Sequence, residues 1–184
     1  MFTTADDWIR ALRAAAGPGT EPDLAGAPPS FRRPQDPDGA LWAAAAEGGA
    51  AQLAAADALL MARPGSSLAD PEGYLALEVW TECELSALHA LARLVRASPT
   101  PARLARFDEL CRWHLEHTQP DNATNRPWSL HAFARRGDHE SRLYAETLLH
   151  NVAASDARHE PLSRWILLDA ARELALAPTG PRPG

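Results

Sequence analysis

The 184-residue sequence contains no lysine, so all 18 of its basic residues are arginines. P-loop nucleoside triphosphatases, pyridoxal enzymes and protein kinases each depend on a lysine amine for binding or chemistry. The absence of lysine excludes these three classes. The sequence also lacks the motifs GxGxxG and GxSxG, which are the usual signs of dinucleotide binding and of an α/β-hydrolase.

Cysteine is scarce, and long apolar runs are absent. Cys83 and Cys111 do not form a CxxC pair, which favours a reduced, intracellular setting. No apolar segment approaches the roughly 18 residues that cross a membrane, and Asp6 and Asp7 stand where a secretory signal would carry basic residues. These features predict a cytoplasmic protein, and the abundance of Arg, Ala, Gly and Pro is typical of a GC-rich bacterial genome.

The charge balance bears on the partners. A formal net charge of -6 argues against a nucleic acid or a membrane as the main partner, because both carry negative surfaces. The composition does not identify a cofactor. A protein partner or a second copy of the chain fits the charge better.

Helix signals dominate the chain, and no segment alternates as a strand would. A first short helix is predicted between Thr4 and Gly17, and a second helical segment after Asp38, bent or broken at Gly48-Gly49. Further helices are predicted over residues 72–97, 101–118, 127–136, 138–154 and 161–176, most of them opened by a capping residue or a proline. We predict an all-α fold of five to six main helices in antiparallel hairpins, as a bundle or an α/α-type array.

Proline divides the chain into regions. Residues 17–38 hold six prolines and show no periodicity, which predicts a flexible linker. The predicted organisation is therefore a short helix with a Pro/Gly-rich linker over residues 1–38, a helical domain over 39–176 and a disordered tail over 177–184.

One ionisable residue falls at the centre of the apolar face in each of two successive predicted helices. These residues are Glu84 and His114. A buried carboxylate needs a partner, so the two are predicted either to hold the helices in register or to act as a catalytic acid/base pair. A thiol of Cys111 activated by His114, and a metal site formed by all three, are further alternatives.

The opposite face of helix 72–97 carries mixed charges at i, i+4 spacing, a pattern typical of a solvent-exposed surface. Its members are Glu78, Glu82, His89, Arg93 and Arg96. Leu77 in this helix and Leu104 in the next are predicted to face the core. In the helix 138–154, Glu146 and His150 have the spacing of a chelating pair and are weak candidates for a metal site.

The most unusual segment is HTQPDNATNRPW, residues 117–128. Its candidate ligand-binding residues are His117, Asp121, Asn122, Asn125, Arg126 and Trp128. Side chains of these types also cap turns by bonding to nearby backbone, so the loop is predicted to be either a self-satisfied structural cap or the lining of a pocket. The pocket hypothesis requires Arg126 to face Glu84 and His114.

No complete catalytic motif is present, and enzyme activity is left open. The leading prediction is a non-catalytic protein-interaction module that binds through an Ala- or Trp-rich helix face, with Trp8 and Trp42 as anchors. The alternative is a small-molecule-binding protein or hydrolase-like enzyme with a pocket formed by Glu84, His114 and residues 117–128. A metal-binding helical bundle is the third possibility.

Overall fold

The computed structural model describes residues 2–28, 37–120 and 124–176, which form eight α-helices, two 3₁₀ turns and no strand. The helices are α1 (Ala5–Ala16), α2 (Pro37–Glu47), α3 (Ala50–Ala62), α4 (Leu77–Ala97), α5 (Pro101–His117), α6 (Leu130–Ala134), α7 (His139–Ala154) and α8 (Pro161–Ala175). The 3₁₀ turns cover Pro71–Gly73 and Asp156–His159. The all-α class is confirmed, while the number of helices exceeds the five or six predicted.

Helix ends follow the local capping signals. Thr4 and Asp7 form a reciprocal capping box at the start of α1. The side chain of Thr100 accepts a hydrogen bond from the backbone of α5, and Asp138 does the same for α7. Gly17 has a φ of 68° where α1 ends, a conformation that glycine adopts without steric cost.

One predicted helix break is confirmed, and two helix starts differ from the pattern-based prediction. Gly48 has a φ of 65° and separates α2 from α3, so the predicted break is complete. The helix predicted from residue 72 begins at Leu77, because the cap-and-proline signal at Asp70 starts only a 3₁₀ turn. The helix predicted from residue 127 begins at Leu130, after Ser129 adopts a left-handed backbone with φ 58°.

The core is one continuous cluster that runs from α1 to α8. Trp8 and Leu12 of α1 belong to it, and so do Trp42 of α2 and Trp165 of α8. Trp8 and Trp42 are almost wholly buried. They serve the core, which overturns their predicted role as interface anchors.

The predicted chain of antiparallel hairpins is not confirmed. The two most extensive helix contacts join elements that are distant in sequence, α1 with α8 and α2 with α4. Residues 17–28 are attached to the helices through backbone carbonyls, which accept hydrogen bonds from the side chains of Arg93, Arg164, Trp165 and Arg172. The flexible Pro-rich segment is likewise not confirmed, and residues 29–36 and 177–184 lie outside the described part of the chain.

Helix α4 is covered on several sides, and this reverses part of the predicted solvent-exposed face. His89 and Arg93 are buried, Glu82 and Arg96 are half-buried, and Glu78 is exposed. His89, Arg93 and Arg96 are paired within the protein, because α8 supplies carboxylates opposite α4. A helix face with charges at i, i+4 spacing has the same sequence pattern whether it contacts water or a partner helix.

Two leucines predicted to lie in the core are exposed. Leu77 at the start of α4 keeps 64% of its surface accessible and Leu104 on α5 keeps 45%. Each lies near the N-terminal end of its helix, where the neighbouring elements no longer cover it. Within the described ranges no helix is long and apolar enough to cross a membrane.

Replacing Leu12 by alanine is expected to lower the free energy of unfolding by about 2–5 kcal/mol, because this fully buried side chain anchors α1 in the core. Urea denaturation measures the loss. The control is Leu143→Ala on the exposed side of α7, which should change stability by less than about 0.5 kcal/mol. If α1 were an undocked arm, the two variants would be equally mild.

Candidate functional site

Glu84 and His114 come together as the sequence predicts, but inside the protein. Both side chains are fully buried, and Glu84 Oε2 lies 3.6 Å from His114 Nε2. The same carboxylate accepts hydrogen bonds from the backbone N–H groups of Leu68, at 3.0 Å, and Ala69. Glu84 therefore joins α4 to the 67–70 turn and, through His114, to α5.

The far side of the His114 ring leads to α7. Its Nδ1 lies 3.4 Å from the hydroxyl of Thr118, which donates to the His114 carbonyl at 2.8 Å. The phenol of Tyr144 lies 2.6 Å from that hydroxyl. Burial raises the pKa of Tyr144 to about 12, so the phenol stays protonated. Because the Thr118 hydroxyl already donates to the His114 carbonyl, the phenol donates a hydrogen bond to Thr118.

The cysteines lie in the interior. Cys111 is fully buried in the core. The thiol of Cys83 receives a hydrogen bond from Tyr74 at 3.2 Å, and burial together with the nearby carboxylate of Asp38 raises its pKa to about 12. The Cys83 sulfur is thus held as a neutral thiol, which is a poor nucleophile.

The metal candidates are not assembled into a site. Glu146 accepts a hydrogen bond from the backbone of Phe2 at 3.4 Å, and His150 is exposed on α7. Within the described residues, no group of three or more His, Cys, Asp or Glu side chains is arranged to hold a metal ion.

Of the loop residues that the structure describes, Thr118 contacts His114, whereas the candidate ligand-binding residues make no hydrogen bond or ion pair with Glu84 or His114. His117 is exposed at the end of α5, where its ring stacks on Trp113 at 4.7 Å and its Nδ1 lies 3.0 Å from the Trp113 carbonyl. Asp121 and Asn122 lie outside the described residues.

Arg126 pairs with different carboxylates from the one expected. Its guanidinium donates to Glu82 of α4 and, at 2.9 Å, to Glu160 just before α8. The indole N–H of Trp128 also points to Glu82, at 3.4 Å. Arg126 therefore fastens its end of the loop to α4 and to the residue before α8, and it does not pair with Glu84 as the pocket hypothesis requires.

A cleft of about 680 Å³ opens beside Arg126, and we call it the acidic cleft. Its lining residues are Glu78, Val79, Glu82, Thr124, Asn125, Arg126, Ser155, Asp156, Ala157 and Glu160. Four of these are carboxylates and one is a cation. Two of the predicted ligand-binding residues, Asn125 and Arg126, therefore line a cleft.

A second cleft of about 390 Å³, the His117 cleft, lies between the start of α4 and the end of α5. Its lining residues are Leu77, Glu78, Trp80, Thr81, Leu115, Glu116, His117, Thr118 and Gln119. Glu78 borders both clefts. Glu84 and His114 line neither of them, so the predicted acid/base pair has no contact with either cleft.

Three exposed apolar residues, Leu75, Leu77 and Val79, lie at the start of α4 and in the link before it, and we call them the α4 ridge. Leu75 is fully exposed, while Leu77 and Val79 keep 64% and 43% of their surface accessible. Leu77 lines the His117 cleft and Val79 lines the acidic cleft. The sequence pattern does not indicate this surface, because helical periodicity places Leu77 in the core.

A buried polar network between α4 and α8 was also missed. His89 Nε2 lies 3.0 Å from Asp169 Oδ2, while the backbone N–H of Ser129 donates to His89 Nδ1 at 3.2 Å. Because Nδ1 accepts a hydrogen bond, His89 is the neutral tautomer that donates from Nε2. Burial, with Arg93 nearby, lowers the pKa of His89 to about 3.

Two further residues extend this network. His131 is fully buried, its ring lies 4.3 Å from that of His89, and neither of its nitrogens has a hydrogen-bond partner among the described residues. Burial lowers the pKa of His131 well below its ordinary value, and burial raises that of Asp169. The sequence did contain a signal for this network. Asp169 and Glu173 lie four positions apart on α8, and His89 and Arg93 lie four positions apart on α4.

Comparisons with known proteins give no family: no family model, no curated protein and no solved structure matches this chain.

The Glu84 contacts predict a stability change. Glu84→Gln should lower the free energy of unfolding by about 1–3 kcal/mol, because the amide has a single acceptor oxygen for the two backbone N–H groups of Leu68 and Ala69. Thermal and urea unfolding measure the loss. The exposed Glu116→Gln should stay within about 0.5 kcal/mol of the parent protein, and equal stability of the two variants would contradict the anchoring role.

The free energy of unfolding is expected to fall as the pH drops from 6.5 toward 3. The pKa of His89 is about 3 when folded against an ordinary 6.5, so below pH 6.5 the unfolded chain takes up a proton that the folded chain does not. The contribution of each such histidine to the free energy of unfolding is therefore fully present above pH 6.5. Below that pH it falls by up to about 1.4 kcal/mol per pH unit. The raised pKa of Asp169 acts in the opposite sense, since the folded chain takes up that proton first.

Urea unfolding at a series of pH values checks this dependence. His131→Phe should reduce the slope below pH 6.5, because it removes one of the two buried imidazoles whose pKa is lowered, the other being that of His89. His150→Phe changes an exposed ring on α7 and should leave the slope as it is. An unchanged slope in the His131 variant would show that this ring does not contribute.

Proposed function

We propose that this protein is a non-catalytic interaction module and that it binds a partner protein through the α4 ridge and the two clefts beside it. The observation that supports the proposal is the exposure of Leu75, Leu77 and Val79 within five residues of the chain, with Leu77 and Val79 in the lining of the two clefts. Single exposed leucines are common on proteins, whereas a group of them between clefts is typical of a binding surface.

The position of the ridge favours this function over the alternatives. Leu75 belongs to the bend before α4, and its side chain is fully exposed. The outer face of α3 is also apolar, but its exposed residues are mostly alanines, which offer little area for burial. The larger side chains of the ridge are therefore better anchors.

Catalysis has less support than binding. The ionisable pairs Glu84–His114 and His89–Asp169 are fully buried, and a catalytic group must reach the atoms of its substrate. The small-molecule alternative would need one of these pairs to open into a cleft.

The proposed setting is the cytoplasm of a bacterium. Neither Cys83 nor Cys111 forms a disulfide, and both are buried, which suits a reducing compartment but does not require one. The arginine-only basic composition supports the bacterial assignment.

The double variant Leu75→Ser/Leu77→Ser is expected to reduce partner binding at least tenfold, because it removes the apolar anchors without touching the core. Quantitative comparison of proteins retained from the source organism by the immobilised parent and variant chains measures this effect. The control Leu104→Ser/Leu143→Ser removes two exposed leucines elsewhere and should retain the same proteins as the parent.

Circular dichroism and thermal unfolding should show that both double variants are folded like the parent, since surface substitutions change stability by less than about 0.5 kcal/mol each. If every retained protein binds the ridge variant as well as it binds the parent, the α4 ridge is not the docking surface.

A further inference from the structure

Resting on this proposed function, we infer that the partner presents a basic amphipathic segment. Its apolar side chains cover the α4 ridge, and its arginine or lysine side chains enter the acidic cleft. Three features support this inference. Two carboxylates in the cleft are unpaired, the surface beside them is apolar, and the same negative charges disfavour other occupants.

Two of the four carboxylates in the acidic cleft are already paired with a cation of the protein itself. Arg126 pairs with Glu82 and, at 2.9 Å, with Glu160. This arrangement shows that the cleft accommodates a guanidinium between carboxylates from two different elements. Arg126 is only 27% exposed on its side chain, so it occupies the inner part of the cleft.

The other two carboxylates are exposed and open to a partner. Glu78 belongs to α4 and Asp156 to the 3₁₀ turn Asp156–His159, and among the described residues neither has a hydrogen bond or an ion pair. Two unpaired carboxylates that line one cleft from different elements attract a cationic side chain and can each accept hydrogen bonds from it. A partner arginine or lysine would therefore bind next to the Arg126 pairs.

The surface next to this cleft is apolar. Val79 lines the acidic cleft, Leu77 lines the His117 cleft, and the exposed Leu75 comes two residues before Leu77 in the chain. Because Glu78 borders both clefts and lies between Leu77 and Val79 in the chain, a segment that places a cation beside Glu78 has its neighbouring side chains next to these apolar residues. In the His117 cleft the exposed Glu116 adds a further negative charge for a second cation.

The same charges disfavour the other occupants. A second copy of the chain, docked symmetrically through this surface, would bring Glu78 and Asp156 close to their own counterparts, and like charges across an interface are repulsive. An acidic peptide, a nucleic acid or an anionic membrane meets the same repulsion, which the overall charge of -6 reinforces.

A pair of fluorescent peptides tests the inference on the full-length protein. The probe is a short amphipathic helix-forming peptide of leucine, alanine and arginine, and its matched control has glutamate at every arginine position. Fluorescence anisotropy measures binding at low and at raised salt. The basic probe should bind the parent protein at least tenfold more tightly than the acidic control, and raised salt should weaken that binding because exposed charges are screened.

The site is checked with Glu78→Lys/Asp156→Lys, which should weaken binding of the basic probe at least tenfold. The control Glu21→Lys/Glu140→Lys makes the same change in net charge on exposed residues outside both clefts. Glu140 is the second residue of α7, as Glu78 is of α4, so the cost at a helix N-terminus is matched. The control should retain most of the binding.

The possible outcomes are distinct. Equal loss in both double variants would mean attraction by net charge alone and would overturn the inference, as would equal binding of the two peptides. If the Leu75/Leu77 variant loses its cellular partner while cross-linking shows an acidic or uncharged docking segment, this inference fails and the interaction module remains. If that variant keeps its partner, the proposed function fails first.

Discussion

The burial of Arg93 is the constraint on which the rest of the structure depends. A charged guanidinium taken out of water costs several kcal/mol unless it is paired and hydrogen-bonded. Arg93 obtains its partners from across the chain: Asp169 of α8 at 3.5 Å, the rings of Trp42 and Trp165 and the carbonyls of residues 24–26. One side chain of α4 therefore requires α2, α8 and the N-terminal segment to be in place together.

Glu84 repeats this arrangement elsewhere on α4. It faces α5 through His114 and holds the 67–70 turn through two backbone hydrogen bonds, while His89 faces α8 and Ser129. The middle of α4 is thus enclosed by polar contacts as well as by the hydrophobic core. Its N-terminal end extends past these contacts, and the exposed Leu77 and its neighbours lie there. Enclosure of the middle and exposure of the end are two results of the same packing, and the second supplies the proposed binding surface.

Local features were predictable from the sequence where a helix end depends on its own residues. Thr4, Thr100 and Asp138 cap helices as expected, since a cap needs only neighbours three positions away. The pairing of Glu84 with His114 was also within reach, because helical periodicity placed each of them on an apolar face. The partners of Arg126 were not, because Glu82 and Glu160 lie 44 and 34 positions away and no periodicity relates them to the loop.

The sequence by itself determined the all-α class, the helix caps at Thr4, Thr100 and Asp138, and the presence of ionisable residues in the core. Tertiary structure alone decided which charges are buried. His89 and Arg93 have the spacing of a solvent-exposed face, and they are covered because α8 offers Asp169 in return. It also decided that Leu77 is exposed, since periodicity reports the direction of a side chain and not whether another element reaches it. Helix caps act over one turn, whereas burial depends on elements distant along the chain.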